Sequence, residues 1–544
     1  MSRHSAKPDR AWFGQAASLL ALLVIGVIFV RFSPGEWRWS TDPQRIGWAL
    51  AASVLFFAAW GFGARRRAAR KRAEAGTPLR ADGPLPVFHA SQTGFAQQLA
   101  EQTAQALQRA GVPACAKPLT ALDVEALATV PRALFIASTT GEGDAPDALA
   151  GFVRRALAGK TPLPGLHYGL LALGDRHYTQ FCAFGRQLDA WLQAQGATPM
   201  FPSIEVDNAD PAALERWRDA LAQLGGKALE LPQFDAAPWQ DWHLVQRQEL
   251  NPGSQGEPVF QLQLQPADDP LPAWRAGDIA EVLPQHAPET LAAWFRATGL
   301  DPQQQVDVAG AGSSLIDHIA RCELPEPAHI AGMDAQQVAD TVVQLRARDY
   351  SIASIPADGS LELLVRQGHR PDGSLGLAAG WLTRHAAPGK TIALRLRSNP
   401  NFHAPDDDVP LILIGNGTGL AALRALLRER IAAGRHANWL LFGERQRSCD
   451  FFHGAELEAA LAAGHLAHLD LAFSRDGAQR VYVQHLLQQQ AERLQDWIEA
   501  GACIHVCGSL EGMAGGVDAA LRSILGDARM QHLAETGHYR RDVY

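Results

Sequence analysis

Arg348-Asp349-Tyr350-Ser351, followed by Ile352, Ala353 and Ser354, is the stretch on which the reading of this chain turns. In an extended segment successive side chains alternate, so Tyr350 and Ser351 point to opposite faces. A cation, an aromatic ring and a hydroxyl set this closely can hold a flavin, with the arginine against a pyrophosphate, the tyrosine against the ring system and the serine at the reactive end. Four residues alone read equally well as an ordinary strand with a surface arginine. What tips the reading is the glycine-bearing loops on both sides of the stretch.

The chain has 544 residues, too many for one core, and this length predicts about three or four domains. A net charge of −8 argues against nucleic acid as a partner. Six cysteines are scattered without a C-x-x-C pair, so neither a disulfide framework nor a metal site is expected. The part beyond the N-terminus therefore reads as cytoplasmic.

Residues 1–75 read as a membrane anchor. Ala11 to Val30 and Ile46 to Ala64 are uncharged runs, each long enough as a helix to cross a hydrocarbon layer of about 30 Å. Trp12, Trp37, Trp39 and Trp48 lie near their ends, where aromatic belts form. Arg65, Arg66, Arg67, Arg70, Lys71 and Arg72 crowd the far side of the second run, and Arg3, Lys7 and Arg10 precede the first. This pattern predicts two transmembrane helices in the inner, cytoplasmic membrane, with both termini on the cytoplasmic side. Neither run contains histidine, cysteine or methionine, so the spans lack the axial ligands that a haem needs. Residues 76–84, with Gly76, Pro78, Gly83 and Pro84, read as a linker.

Residues 85–228 read as a parallel α/β domain. The apolar strand Leu85 to Phe88 leads into Ser91-Gln92-Thr93-Gly94-Phe95-Ala96 and an amphipathic helix. Small hydroxyl residues and a glycine ahead of a helix make a nest of backbone N–H groups, to which the helix dipole adds attraction for a phosphate. A second strand, Ala133 to Ala137, ends in Ser138-Thr139-Thr140-Gly141-Glu142-Gly143-Asp144. A third, Gly169 to Leu173, ends in Gly174-Asp175, with Tyr178, Phe181 and Cys182 following. Such loops gather at the carboxyl edge of one sheet, where ligands bind in open α/β folds.

S-Q-T-G, S-T-T-G-E-G-D and L-G-D-x-x-Y-x-x-F-C resemble the three FMN loops of the flavodoxin-like domain in the diflavin reductases. The resemblance implies that residues Ser91 to Ala96 hold the FMN phosphate. It implies too that Ser138, Thr139, Thr140, Gly141 and Gly143 of the second loop, with Leu173, Gly174, Asp175, Tyr178, Phe181 and Cys182 of the third, surround the isoalloxazine. Thr140 stands where many members carry tyrosine, which leaves one ring face less covered.

The remainder resembles a ferredoxin-NADP reductase module, with a FAD-binding β-barrel in residues 229–405 and a Rossmann-like NADPH-binding domain in residues 406–544. Alternation in Phe260 to Leu264 predicts a half-exposed barrel strand, and residues from about 287 to 344 read as a short helix-rich insertion. By the resemblance to R-x-Y-S, Arg348 is a FAD pyrophosphate ligand with Tyr350 and Ser351 beside the ring, and Gly376-Leu377-Ala378-Ala379 completes the pyrophosphate site. The strand Val409 to Ile414 runs into Gly415-Asn416-Gly417-Thr418-Gly419 and a helix bearing Arg424, a glycine-rich turn suited to a dinucleotide. Ser474, Arg475, Arg480 and Tyr482, followed by Gln484, suit a dianionic 2′-phosphate better than a bare ribose. Cys507 is similar to the family cysteine beside the nicotinamide. Ser509 replaces the acid that usually follows it, which puts carboxylate-assisted hydride transfer in question. By the same resemblance the terminal Tyr544 covers the FAD ring, and Ser351, Cys507, Ser509 and Tyr544 form the catalytic set.

The function expected is a membrane-anchored NADPH-dependent diflavin reductase passing electrons from NADPH to FAD to FMN and on to a one-electron acceptor. That acceptor is expected to be a membrane-associated haemoprotein or a sulfite reductase partner, and the ending in tyrosine is the form associated with the sulfite reductase flavoprotein subunit. A ferric or siderophore reductase component is the alternative. A flavin-based membrane sensor is an alternative of another class, and the uncharged spans offer no substrate path for a transporter.

Overall fold

The computed structural model divides into one unit of Met1–Gly76 and another of Thr77–Tyr544. It describes residues 83–544 apart from 142, 155–158, 177–178, 209, 225–237, 269 and 309. The two expected spans, 11–30 and 46–64, lie outside the described residues. Among the described residues no helix is long and apolar enough to cross a membrane.

The flavodoxin-like part carries β1 (Leu85–Ala90), β2 (Ala114–Pro118), β3 (Arg132–Ser138), β4 (His167–Gly174), β5 (Thr198–Pro199) and β6 (Ile204–Asp207), all paired in parallel. Their order is β2-β1-β3-β4-β5, with β6 also on β4. The sequence dictates this through near-continuous apolar strands buried on both faces, as parallel sheets require. Phe88 and Phe135 enter one core layer, their rings stacked at 5.4 Å, while Val87, Leu134 and Ile136 enter the other. The helix Phe95–Arg109 closes the second layer by burying Ala96, Leu99, Ala100, Thr103, Ala104 and Leu107, at helical spacing. The order reverses between β1 and β3, so the loops after these two strands flank the crevice where ligands bind in this architecture.

An antiparallel sheet follows, made of β7 (Gln240–Glu249), β8 (Val259–Pro266), β9 (Ile279–Val282), β12 (Arg348–Ser351), β13 (Leu361–Arg366) and β14 (Thr391–Arg397), in the order β12-β9-β14-β7-β8-β13. The R-D-Y-S stretch is indeed a strand, with Arg348 opposite Val282 and Ser351 opposite Ile279. Within the stretch expected to be helix-rich lie the helices Pro288–Thr298, Leu315–Ile319 and Ala335–Thr341, but also a hairpin of β10 (Gln305–Val308) and β11 (Ala311–Ser314). Gly310, at φ +85°, makes that reversal possible.

The third sheet is parallel, ordered β17 (His468–Phe473), β16 (Asn438–Glu444), β15 (Leu411–Asn416), β18 (Cys503–Gly508), β19 (Tyr539–Val543). Leu411 and Leu413 face one core layer and Ile412 and Ile414 the other. The switch point lies between β15 and β18, so the glycine-rich turn and Ser509 emerge side by side at the carboxyl edge.

Candidate functional site

The first loop of the flavodoxin-like sheet leaves β1 at Ala90 and enters its helix through Gly94, held at φ +85°. The Ser91 Oγ and the Thr139 Oγ1 of the second loop are both buried without a hydrogen-bond partner among the described residues. Such hydroxyls are rare unless something polar is meant to meet them, and a phosphate above the helix N-terminus fits. The Thr139 N–H donates to the Leu173 carbonyl at 2.9 Å, tying the second loop to the third. Thr140 turns its hydroxyl toward the Asp144 and Ala145 carbonyls, both at 3.3 Å, while Gly141 and Gly143 take positive φ to complete the turn. In the third loop Arg176 lies 4.9 Å above the Phe181 ring. Burial pushes the Cys182 thiol up to about 12, which makes it a packing group and not a nucleophile. Tyr178, expected against the ring, lies outside the described residues.

The same first loop is stitched to the reductase part. Asn401 donates from Nδ2 to the Ser91 carbonyl at 2.9 Å and the Gln92 carbonyl at 3.1 Å, and Arg397 donates to the Thr93 carbonyl. Any side chain at Gly94 would run into the Ser398 carbonyl. Gln92, expected at the phosphate, instead spends its amide on Asp147 and on the Arg541 carbonyl, each at 3.0 Å. Arg541 in turn grips both Asp147 oxygens, with Nε at 2.7 Å from Oδ2.

Asp542, the next residue of β19, points the other way. Its Oδ2 accepts from the Ser351 Oγ at 2.8 Å and lies 3.8 Å from the Cys507 Sγ, so three strand ends bring a half-buried hydroxyl, a buried carboxylate and a buried thiol together. Burial raises the Asp542 carboxyl above its usual range, with the Ser351 hydroxyl working in the opposite direction. Burial also pushes the Cys507 thiol well above its usual range, reinforced by the Asp542 charge, so the sulfur is held as a thiol. The Ser509 hydroxyl donates to the Glu511 carbonyl at 2.8 Å, and the carboxylate beside Cys507 is that of Asp542. The cue was present in the final Asp-Val-Tyr, but nothing local to those residues says which way Asp542 faces.

Beside this group, Arg348 is exposed and, among the described residues, donates only to the Ala347 and Arg346 carbonyls, at 3.1 and 3.4 Å. Among the described residues no carboxylate pairs with it, which fits a cation reserved for a pyrophosphate. Gly376, donating to the Gly368 carbonyl at 2.9 Å, starts the short helix Leu377–Gly380 that carries Leu377, Ala378 and Ala379.

A cavity of ≈ 800 Å³ opens over the carboxyl edge of the third sheet, lined by Gly417, Thr418, Ser474, Arg475, Tyr482, Gln484, Ser509 and Tyr544. Buried Gly419 ends the turn beneath it. The Gln484 Oε1 is buried and has no hydrogen-bond partner among the described residues, again fitting a polar guest. The Tyr544 hydroxyl lies 3.1 Å from the Thr418 Oγ1, while the residue keeps 56% of its surface exposed, so the terminal ring sits at the cavity mouth with room to move. Arg480 is exposed and does not line this cavity. Arg366 and Arg445 do line it, and neither is marked by any sequence motif.

Arg424, expected at the dinucleotide, is placed elsewhere. Its guanidinium is buried and donates to Glu362 at 2.6 Å, to Glu456 at 2.9 Å and to the Ala353 carbonyl at 2.7 Å, so it joins the two reductase sheets instead of reaching the dinucleotide. A buried arginine with two carboxylates has no charge left for a ligand.

With this geometry in view, the chain matches the Flavodoxin model over residues 87–220 and the Oxidoreductase NAD-binding domain model over residues 413–519. The sulfite reductase [NADPH] flavoprotein alpha-component of Vibrio parahaemolyticus is 30% identical over 87% of this chain and 88% of its own length. Those of Vibrio cholerae and Bacillus subtilis are 29% and 27% identical over 86% of this chain and 89% and 92% of their own lengths. The chain belongs to the diflavin reductase family. This diflavin reductase is an oxidoreductase whose cofactors are FMN, FAD and NADPH. The buried Ser91 and Thr139 hydroxyls, the exposed Arg348 and the arginine-lined cavity are the features of the chain that fit each of them in turn.

Proposed function

We propose that this diflavin reductase takes reducing equivalents from NADPH and delivers them singly to a haem-bearing partner protein. When bound, the flavins accept a hydride at one end of the relay and release single electrons at the other. The residues divide this work. Ser474 and Arg475 hold the 2′-phosphate, and Thr418 and the glycine turn receive the rest of the dinucleotide. Tyr544, at the cavity mouth, would cover the flavin ring and would have to move aside for the nicotinamide. Ser351, Asp542 and Cys507 would line the polar edge that meets the reacting atoms, with Asp542 fixing the serine hydroxyl. Arg348 and the Gly376 to Ala379 segment hold the FAD pyrophosphate, and the loops from Ser91, Ser138 and Leu173 hold FMN.

The observation that carries this reading is that consecutive residues of one strand serve both halves, Arg541 gripping the FMN-loop side and Asp542 the hydride side. The haem-bearing partner is inferred from relatives that are components of sulfite reductase. The runs 11–30 and 46–64 are proposed to anchor the chain in the inner membrane, on the strength of their length and basic flanks, with the flavin domains on the cytoplasmic side.

Release of the flavins from purified full-length protein tests the core of this proposal. One FMN and one FAD per chain are expected, and finding a single flavin type would sink it. Protein stripped of FMN should still reduce ferricyanide with NADPH but no longer reduce a haemoprotein. Equal loss of both activities would place the exit of electrons elsewhere.

A further inference from the structure

The second strand of the nucleotide sheet, β16, ends at Glu444, and its carboxylate stands in the wall of the dinucleotide cavity with only 7% of its side chain exposed. Both oxygens are engaged. Oε2 accepts the Arg445 N–H at 2.9 Å, and Oε1 accepts from Nη2 of Arg366, which reaches in from the end of β13 in the flavin barrel. The pair lies directly over the glycine-rich turn. A Cβ added to Gly417, itself at φ +55°, would stand 2.9 Å from Arg366 Nη2 and 3.4 Å from Glu444 Oε1. This turn precedes a helix N-terminus on a doubly wound sheet, the place where a dinucleotide's pyrophosphate is received. A nearly buried carboxylate is an unexpected neighbour for so anionic a guest, because like charges repel strongly where water is scarce.

We propose that Glu444 sets the affinity of this cavity by competing with the pyrophosphate for Arg366. The proposal rests on the reading of the cavity as the NADPH site. Before ligand enters, the two charges cancel; when the pyrophosphate arrives, Arg366 is shared between it and Glu444, and the carboxylate lowers the net attraction. The dinucleotide is thereby held loosely enough to leave after each turnover, a step that often limits enzymes of this kind. Arg445, fixed through its backbone by the same carboxylate, keeps the loop after β16 in place.

Charge counting separates this role from that of a structural brace. Removing the glutamate charge leaves Arg366 unopposed beside the pyrophosphate, and removing the arginine leaves Glu444 unopposed, so the two changes act in opposite directions. The test is equilibrium binding by calorimetry on the full-length, flavin-loaded protein with two probes. NADP+ carries the pyrophosphate, and 2′-AMP carries the 2′-phosphate without it. Glu444→Gln is expected to tighten NADP+ about tenfold and Arg366→Ala to weaken it about tenfold, in line with one charge-assisted contact. Both should leave 2′-AMP within about twofold of the unaltered protein. If both variants weaken NADP+, the pair is a brace and the proposal falls. If 2′-AMP shifts in parallel with NADP+, the effect is not local to the pyrophosphate and the proposal falls as well. Should Glu444→Gln fail to retain its flavins, Arg366→Lys serves in its place. Lysine keeps the charge, so NADP+ should stay within about threefold, and a loss matching Arg366→Ala would overturn the proposal. Failure of the unaltered protein to bind 2′-AMP would sink the NADPH reading of the cavity itself, a result distinct from any of these.

Discussion

The FMN loops and the Ser351–Asp542–Cys507 group both sit at the ends of strands, the first on one parallel sheet and the second where an antiparallel strand meets a parallel sheet, and they are built in opposite ways. Each FMN loop is one short run of sequence following one strand, and its chemistry comes from neighbouring backbone N–H groups and hydroxyls such as those of Ser91 and Thr139. The hydride site is assembled from strands of two sheets, and Ser351 reaches a carboxylate 191 residues away. A phosphate needs only a local curl of the chain, whereas a polar group held dry beside a flavin must be enclosed by distant segments. Damage to the first kind of site should therefore be graded and local, and damage to the second steep.

That contrast is open to measurement. The largest expected effect is from Asp542→Asn, which should slow reduction of FAD by NADPH about a hundredfold or more in rapid mixing, by the scale of positioned acid–base groups. FMN and FAD contents should stay whole, and an unchanged rate would erase the distinction between the two sites. Next comes Arg475→Ala, expected to raise the Kd for NADP+ about ten- to hundredfold by loss of one charge-assisted phosphate contact. Arg480→Ala should change it less than about fivefold, since Arg480 stands outside the cavity. Equal effects would show that the pocket extends farther than its lining residues.

Smaller still, Ser91→Ala and Thr139→Ala should each loosen FMN about fivefold in equilibrium dialysis, at about 1 kcal/mol per hydrogen bond, with FAD untouched. A loss of FMN as steep as that expected for hydride transfer in Asp542→Asn would mean that the cradle is no more local than the hydride site. The smallest effect expected is from Arg541→Ala. It removes a two-pronged pair with Asp147 while leaving the other ties of the first loop in place. The flavodoxin-like part should then spend more time away from the reductase sheets, visible as a modest rise in cross-linking-free species, with Asn401 and Arg397 still holding the first loop.

Sequence by itself determined what depends on near neighbours. The alternation of Leu411 to Ile414 between two core layers follows from period-two burial, and the apolar strand, glycine turn and helix from Leu411 to Ala432 follow from backbone chemistry within a few residues. The strand character of Arg348 to Ser351 was equally plain. Only the tertiary structure decided where charged side chains are spent. Arg424 follows the glycine turn as a phosphate ligand would, yet Glu362 and Glu456, which claim it, come from other segments. The carboxylate beside Cys507 comes from β19 because that strand lies beside β18. Glu444 and Arg366 carry no motif at all and meet only because the fold brings the end of β13 over the glycine turn of the nucleotide sheet. The physical reason is one of range. A nest or a pleat is closed by bonds within a turn of chain, whereas an ion pair in a low-dielectric interior is decided by whichever opposite charge the fold carries to within hydrogen-bonding distance.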